Sequence, residues 1–388
     1  MKIFGLNINR QKNETTIANA EVFNHNKFAN LTSSLNYDFN QPLISELINN
    51  NYVNFGSDNQ YPNLLNSLYY SSPFHSSIVN FKQLNLVGSG YDVILGANLT
   101  ERQKIEVEQL KYVFNQEFID KMGMDFIIHG RLTWLIYWNE EHNKVINIER
   151  VDPAWVRATQ KVNGKVNTYV INPNFTSTNG RNKSKEVPAF DVFNKTEKVQ
   201  LYTYQIFSPG LEYYCQPSYA NAANWLYLDG QISFYHKSNI ENSINPSVAV
   251  KIYEKPANQE EQQEFISNLK RSFAGAKNTG KVMVFFSNGK DLAPDIQSIE
   301  ANTLDKAFSI TQEMIIKNIA FSHTIDPIIM GIASPGALGQ SQQLATAYSI
   351  FNNTFIQPNQ NKLNAVLSSF YSVNNLNASV KLKKFNLV

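Results

Sequence analysis

A single cysteine, Cys215, is all the thiol chemistry in 388 residues. That excludes an intrachain disulfide framework and every multi-cysteine zinc module. Charge is scarce as well, at 17% Asp, Glu, Lys and Arg, below the ~25% of an average soluble domain. It is also balanced: 34 basic against 32 acidic side chains leave a formal net charge of +2. A protein that coats DNA or wraps it tightly needs many uncompensated cations to release counterions, so that class is excluded. Looser contact with DNA stays open. No apolar run approaches the ~20 residues that cross a bilayer, because the most apolar window, Met124 to Trp138, is interrupted by His129, Gly130 and Arg131. The opening MKIFGLNINRQK is too short in apolar residues for a signal-peptide core, so the chain reads as soluble and intracellular.

What is present is aromatic and apolar: 25 Phe, 19 Tyr and 4 Trp within a 43% hydrophobic chain. Such a composition buries too much surface to stay disordered, and the length suits two or three domains at about 150 residues each. Residues 1–50 are polar and Asn-rich without periodicity, the pattern of an extended arm. Helical spacing starts at Tyr61-Pro62, resumes from His75 to Leu86, and stops at Gly88-Ser-Gly90. A longer helix follows Thr100, which with Gln103 makes a capping box ahead of Val107, Leu110, Phe114 and Phe118. Two β-rich runs, 131–139 and 144–150, form a first hairpin; a second, 154–162 and 165–172, turns at Asn163-Gly164, the strongest short hairpin signal. Residues 173–187 read as a long exposed loop and 198–207 as a further strand.

Beyond Pro217 one long helix is expected over 217–243, ended by Asn245-Pro246. A compact β-α-β pattern follows: strand 247–254, helix 258–273, Gly275 and strand 281–287. A second long helix is expected over 303–322 beside Asn302. The segment DPIIMGIASPGALGQS then packs two Pro and three Gly among apolar residues, so it cannot continue a helix and is unusually apolar for a surface loop. Helices over Gln340–Phe355 and Asn359–Tyr371 and a strand over 379–387 close the chain.

Several patterns suggest chemistry and fail on inspection. Gly275-Ala-Lys-Asn-Thr-Gly280-Lys281 has the spacing of a phosphate-cradling loop, but Val282 stands where a Mg²⁺-binding hydroxyl belongs, and the segment joins a helix to a strand rather than the reverse. Asp125 and His129, four apart on a helix, could share a metal, and His323 with Asp326 could form an acid–base pair. Neither has a third ligand or nucleophile nearby, so a structural role is favoured for both. Ser334 lacks the first glycine of a nucleophile elbow and is followed by proline. No catalytic residue, metal or cofactor is therefore expected, and the chain is not read as an enzyme. Lys270, Arg271, Lys277 and Lys281 cluster at the end of the module's helix, either as a solvated terminus or facing an acidic partner.

The order of these elements resembles a portal protein of tailed double-stranded-DNA bacteriophages. Over roughly residues 50–388 the resemblance is carried by Phe55-Gly56-Ser-Asp-Asn-Gln-Tyr61-Pro62, Gly88-Ser-Gly90, His129-Gly130-Arg131, Val151-Asp152-Pro153, Tyr213 to Pro217 and Asp326-Pro-Ile-Ile-Met-Gly331. It implies an α+β, portal-like fold: an N-terminal arm (1–50), a β-rich wing with helices (51–216, with the C-terminal strand 372–388), stem helices 217–245 and 299–323, a small α/β clip (246–298), a tunnel loop (324–340) and backing helices (341–371). Only about seventeen residues follow Tyr371, so a large helical crown is not expected.

The function implied is a ring, usually dodecameric, at one capsid vertex of a virion assembled in the host cytoplasm. Such a ring contacts the major capsid protein, docks the terminase large subunit and then a head–tail adaptor, and passes double-stranded DNA without sequence preference during packaging, retention and ejection. In this chain the channel loop would be Ile332, Ala333, Ser334, Pro335, Gly336, Ala337 and Leu338, and the docking residues Lys270, Arg271, Lys277 and Lys281 of the clip. No membrane is involved. The residues fit in two independent ways: near-neutral charge lets DNA slide, and an apolar Gly/Pro loop is tolerable where several copies line a shared channel. The other reading is a structural virion protein without a DNA channel.

Overall fold

In the computed structural model the described residues are 46–48, 51–175, 184–193, 197–242, 248–252, 258–261, 263, 264, 267, 282–286, 301–332 and 340–385. Of the expected N-terminal arm only 46–48 fall among them. Among the described residues the helices begin where Pro62 occupies a first turn that needs no N–H: α1 is Tyr61–Ser71 and buries Leu64, Leu65 and Leu68. Ser72 ends α1 and caps α2 (Pro73–Val87), its hydroxyl accepting the amide of His75. Gly88, at φ 60°, runs so close to the C-terminal strand that a Cβ would overlap the Lys383 carbonyl at 1.6 Å. A short strand, β1 (Tyr91–Leu95), follows, which the sequence pattern did not signal.

The Thr100/Gln103 capping box opens α3 (Glu101–Val113), as expected. The single helix read through Phe118 is instead two. Phe114 closes α3 and the Asn115 side chain accepts the Phe118 amide to start α4 (Gln116–His129), a break short enough to leave the apolar spacing unchanged. Gly130 in the left-handed region then turns the chain into β2 (Arg131–Trp138), hairpinned to β3 (Val145–Arg150). After a 3₁₀ turn, Pro153–Trp155, come β4 (Val156–Ala158), β5 (Lys161–Val162), β6 (Lys165–Val166) and β7 (Thr168–Ile171). Asn163 and Gly164 both have positive φ (53° and 77°), the turn type their sequence dictates.

β8 (Lys185–Pro188) lies in what the sequence presents as loop, because a strand with one apolar anchor has no alternation to read. Val187 is that anchor, buried with Val151, Val156 and Leu201. β9 (Val199–Gln205) completes an antiparallel sheet of order β3-β2-β9, beside a second sheet of order β4-β7-β8. The aromatic core sits over β2: Trp134 meets Phe118 at 5.1 Å, Tyr202 at 5.6 Å and Phe370 at 5.8 Å between ring centroids.

The expected 217–243 helix starts later, after a 3₁₀ turn at Ala220–Ala222, as α5 (Ala223–Asn242). β10 (Val248–Ile252) and β11 (Val282–Phe286) pair in parallel, as the β-α-β reading requires. The long helix α6 (Ala301–Ser322) packs along α5, and Asn302 lies inside it rather than ahead of it. After a 3₁₀ turn, Pro327–Met330, comes α7 (Gln340–Phe351), joined through a π turn, Asn352–Ile356, to α8 (Gln357–Val373). The break expected before Asn359 is absent: the widened turn directly before Pro358 accommodates the missing N–H. β12 (Ala378–Leu382) pairs antiparallel with β1 in the register Val93 to Val380. Among the described residues no helix is long and apolar enough to cross a membrane.

Candidate functional site

The apolar Gly/Pro segment leaves the end of α6. The Thr324 amide donates to the Phe321 carbonyl (2.9 Å) and the Ile325 amide to the Ala320 carbonyl (3.0 Å), a paired closure that puts Thr324 in the left-handed region at φ 54°. A β-branched residue is strained there, so the exit direction is held by its surroundings. Asp326 caps the next turn by accepting the Ile328 amide at 3.0 Å, and Gly331 (φ 80°) ends it. Ile332 is 37% exposed. Ala333, Ser334, Pro335, Gly336, Ala337 and Leu338 lie outside the described residues, as do Lys270, Arg271, Lys277 and Lys281.

The exit from α6 is anchored by buried polar side chains of α2 and by Tyr219. His323 and His75 of α2 are both fully buried, and their rings share a proton between His75 Nδ1 and His323 Nε2 at 2.8 Å. Tyr219 stacks on His323, meets His75 at a tilt with 4.4 Å between ring centroids, and donates its hydroxyl proton to the Ile128 carbonyl. The ammonium of Lys82, 1% exposed, donates to the His323 carbonyl and lies 4.0 Å from the centroid of the Phe355 ring in the π turn. Burial, helped by the Lys82 charge, lowers His75 to about 3 and holds His323 well below the usual imidazole range; burial also lowers Lys82 to about 7. Both rings are therefore neutral at pH 7.

The root of α5 is tied to the same place. Asp229 accepts the Ser72 hydroxyl (2.6 Å) and the Phe74 amide (3.1 Å), so its carboxylate sits on the first turn of α2. The neighbouring Gly230 permits that approach, since a Cβ there would stand 2.8 Å from the Ser71 carbonyl oxygen. Helix propensity favours alanine over glycine by about 1 kcal/mol, whereas overpacking typically costs about 1–3 kcal/mol. Gly230→Ala is thus expected to lower the melting temperature; a variant melting above the wild type would show that α5 is free to shift off the turn.

The two pairs raised by sequence spacing are not sites. Both carboxylate oxygens of Asp125 receive guanidinium protons from Arg150 at 2.7 Å, and Asp152 takes a third at 3.3 Å. Burial pushes Asp125 up to about 7 while Arg150 pulls the other way; the two short bonds are those of an ionised pair. His129 does not bond Asp125, and burial lowers it to about 4. His323 turns to His75 rather than to Asp326, which is exposed and caps the following turn. Among the described residues no three His, Cys, Asp or Glu side chains converge as metal ligands.

A second buried cation shapes the region ahead of α1. Arg157, fully buried, donates to the Asn59 side-chain and main-chain oxygens and to the Ala154 and Val156 carbonyls, and its guanidinium lies 4.4 Å from the Phe175 ring centroid. Spacing alone did not single out Arg157, Lys82, His75 or Asp229. A signal for Lys82 was there: Ile78, Lys82 and Leu86 fall at i, i+4, i+8 on the apolar face of α2.

No protein-family model and no curated protein matches this chain. Solved structures do. A chain from the virion of a native gene transfer agent particle overlays with a TM-score of 0.58 at 16% identity, covering 84% of this chain and 84% of that one. A chain from the neck of the native particle, computed with C12 symmetry, overlays with a TM-score of 0.56 at 16% identity, covering 83% of each. A looser overlap, with a TM-score of 0.43 at 10% identity over 82% of this chain and 94% of that one, is with a HK97 family phage portal protein from Corynebacterium diphtheriae. The first two show that this mixed helix-and-sheet chain shares its fold with a chain of the gene transfer agent virion and with a chain of the particle's neck.

Proposed function

We propose that this chain is a portal protein, the subunit of a ring at one capsid vertex through which double-stranded DNA is packaged, retained and ejected. The observation that carries the reading is the fold shared, over 83% of the chain, with a neck component of a particle computed with C12 symmetry. In this reading α5 and α6 are the stem, the strands β10 and β11 belong to the clip, and the segment after α6 is the tunnel loop. The chain acts as a conduit and docking platform, seated against the major capsid protein and serving first the terminase large subunit and then the head–tail adaptor. It performs no catalysis of its own.

Exposed apolar groups support a ring. On α6, Ile310, Met314 and Phe321 are 62%, 50% and 71% exposed at i, i+4, i+11, and on α5 Leu228 and Phe234 are exposed too. Two helices with apolar outer stripes are costly on an isolated chain and stable once neighbouring copies cover them. The near-zero net charge suits DNA that must slide, because each strong phosphate contact would add to a salt-dependent grip.

Purified protein is expected to form closed rings, of about twelve subunits by analogy with the neck computed with C12 symmetry. Mass photometry that finds only monomers at every concentration would remove the reading. Deleting Ile332 to Ala337 should leave the ring intact and impair packaging or retention of DNA; normal packaging by that variant would take the channel role away from the loop. Charge reversal at Lys270 and Arg271 should weaken adaptor docking, and unchanged binding would return both to solvated surface.

A further inference from the structure

We propose that Lys82 is a positioning residue for the loop that leaves α6: by holding the His323 carbonyl and the Phe355 ring, it pins both ends of the segment between α6 and α8 to α2. This rests on the portal reading only for what the loop does, since the pin itself is geometry. His323 is the residue on which α6 closes, directly before strained Thr324. Phe355 belongs to the π turn that follows α7, at the far end of the same segment. One ammonium therefore touches the approach to the loop and the return from it.

Packing alone does not explain a lysine at this position. It lies on the face of α2 that buries Ile78, Val79 and Leu86, where a leucine or methionine would fill the space at no electrostatic cost. Among the described residues it has no carboxylate partner. The groups around it are the neutral imidazoles of His75 and His323, the Phe355 ring and a main-chain carbonyl. A lysine kept in such surroundings is specified by direction: its terminal nitrogen gives a bond to the α6 end that no apolar side chain could give. The shared proton between His75 and His323 adds a second tie to the same residue, so the α6 end is fixed by its carbonyl and by its ring.

The test is amide hydrogen exchange on the full-length assembled protein carrying Lys82→Met, which keeps the aliphatic volume and removes only the donors. The probes are the amides of Thr324, Ile325, Ile328 and Ile329, all hydrogen-bonded in this structure. They are expected to exchange roughly tenfold faster or more, while the amides of β2 keep their wild-type rates. Leu86→Ala is the control for general loss of packing: it should speed exchange through the α2 core without singling out 324–332. Should Lys82→Met fail to fold, Phe355→Leu removes the other half of the pin and should loosen the same amides to a smaller extent. Unchanged exchange at those four amides in whichever variant folds, or loosening equal to that in Leu86→Ala, would overturn the assignment. Faster exchange together with normal DNA packaging would uphold the pin and count against the channel role of the loop.

Discussion

Arg157→Ala is expected to destabilise the protein by about 3 kcal/mol or more, because a buried acceptor left without its donor costs about 1–3 kcal/mol and a cavity adds to it. The side chain is fully buried and donates to four oxygens: Asn59 Oδ1, the Asn59 carbonyl, and the carbonyls of Ala154 and Val156. Burial lowers the guanidinium only to about 10, so it is charged at every physiological pH. Without it, buried acceptors lose their donors and a space opens beside Phe55 and Phe175. Asn59 also accepts the Phe55 amide while itself at positive φ, so the strained entry to α1 should loosen first. Lysine should not rescue, because a single ammonium cannot reach oxygens on both sides of a planar fork. Chemical denaturation is the measurement, and a loss below about 1 kcal/mol would show the network to be dispensable.

The second large effect concerns acid. His75 is lowered from 6.5 to about 3 by burial and by Lys82, and His323 moves the same way. Between those values the unfolded chain binds protons that the folded chain refuses, so stability rises with pH and is lost as pH falls from about 6.5 towards 3. Each such ring steepens the dependence by up to about 1.4 kcal/mol per pH unit. Asp125 is pulled both ways in the same region, up by burial and down by Arg150. The comparison must therefore be between wild type and variant. His75→Gln cannot titrate and keeps an amide for His323; its stability is expected to fall with acid less steeply, by about one proton's worth between pH 4 and 6. Superimposable pH profiles would mean that His75 is protonated in the folded state.

Much of the architecture was legible before any coordinates. The capping box at Thr100, the turn at Asn163-Gly164, the hairpin of β2 and β3, and the parallel pair β10 and β11 all carry local chemistry that acts over a few residues. What escaped was set at a distance. Among the described residues β1 pairs with β12, nearly three hundred residues away, and β8 is a strand because Val187 meets Val151, Val156 and Leu201. The two spacing pairs, Asp125 with His129 and His323 with Asp326, were undone for the same reason. Arg150 and His75 arrive from other elements and make better partners than the residue four or three positions along.

The sequence by itself determined the balance of charge, the absence of an intrachain disulfide and the positions of most helices and strands. These are properties of composition and short-range periodicity. Only the tertiary structure decided that Lys82, His75 and His323 meet where α6 ends, and that Arg157 sits sealed among carbonyls. A buried polar group is acceptable only where the fold brings its partners, and that meeting is a fact about space that no local pattern encodes.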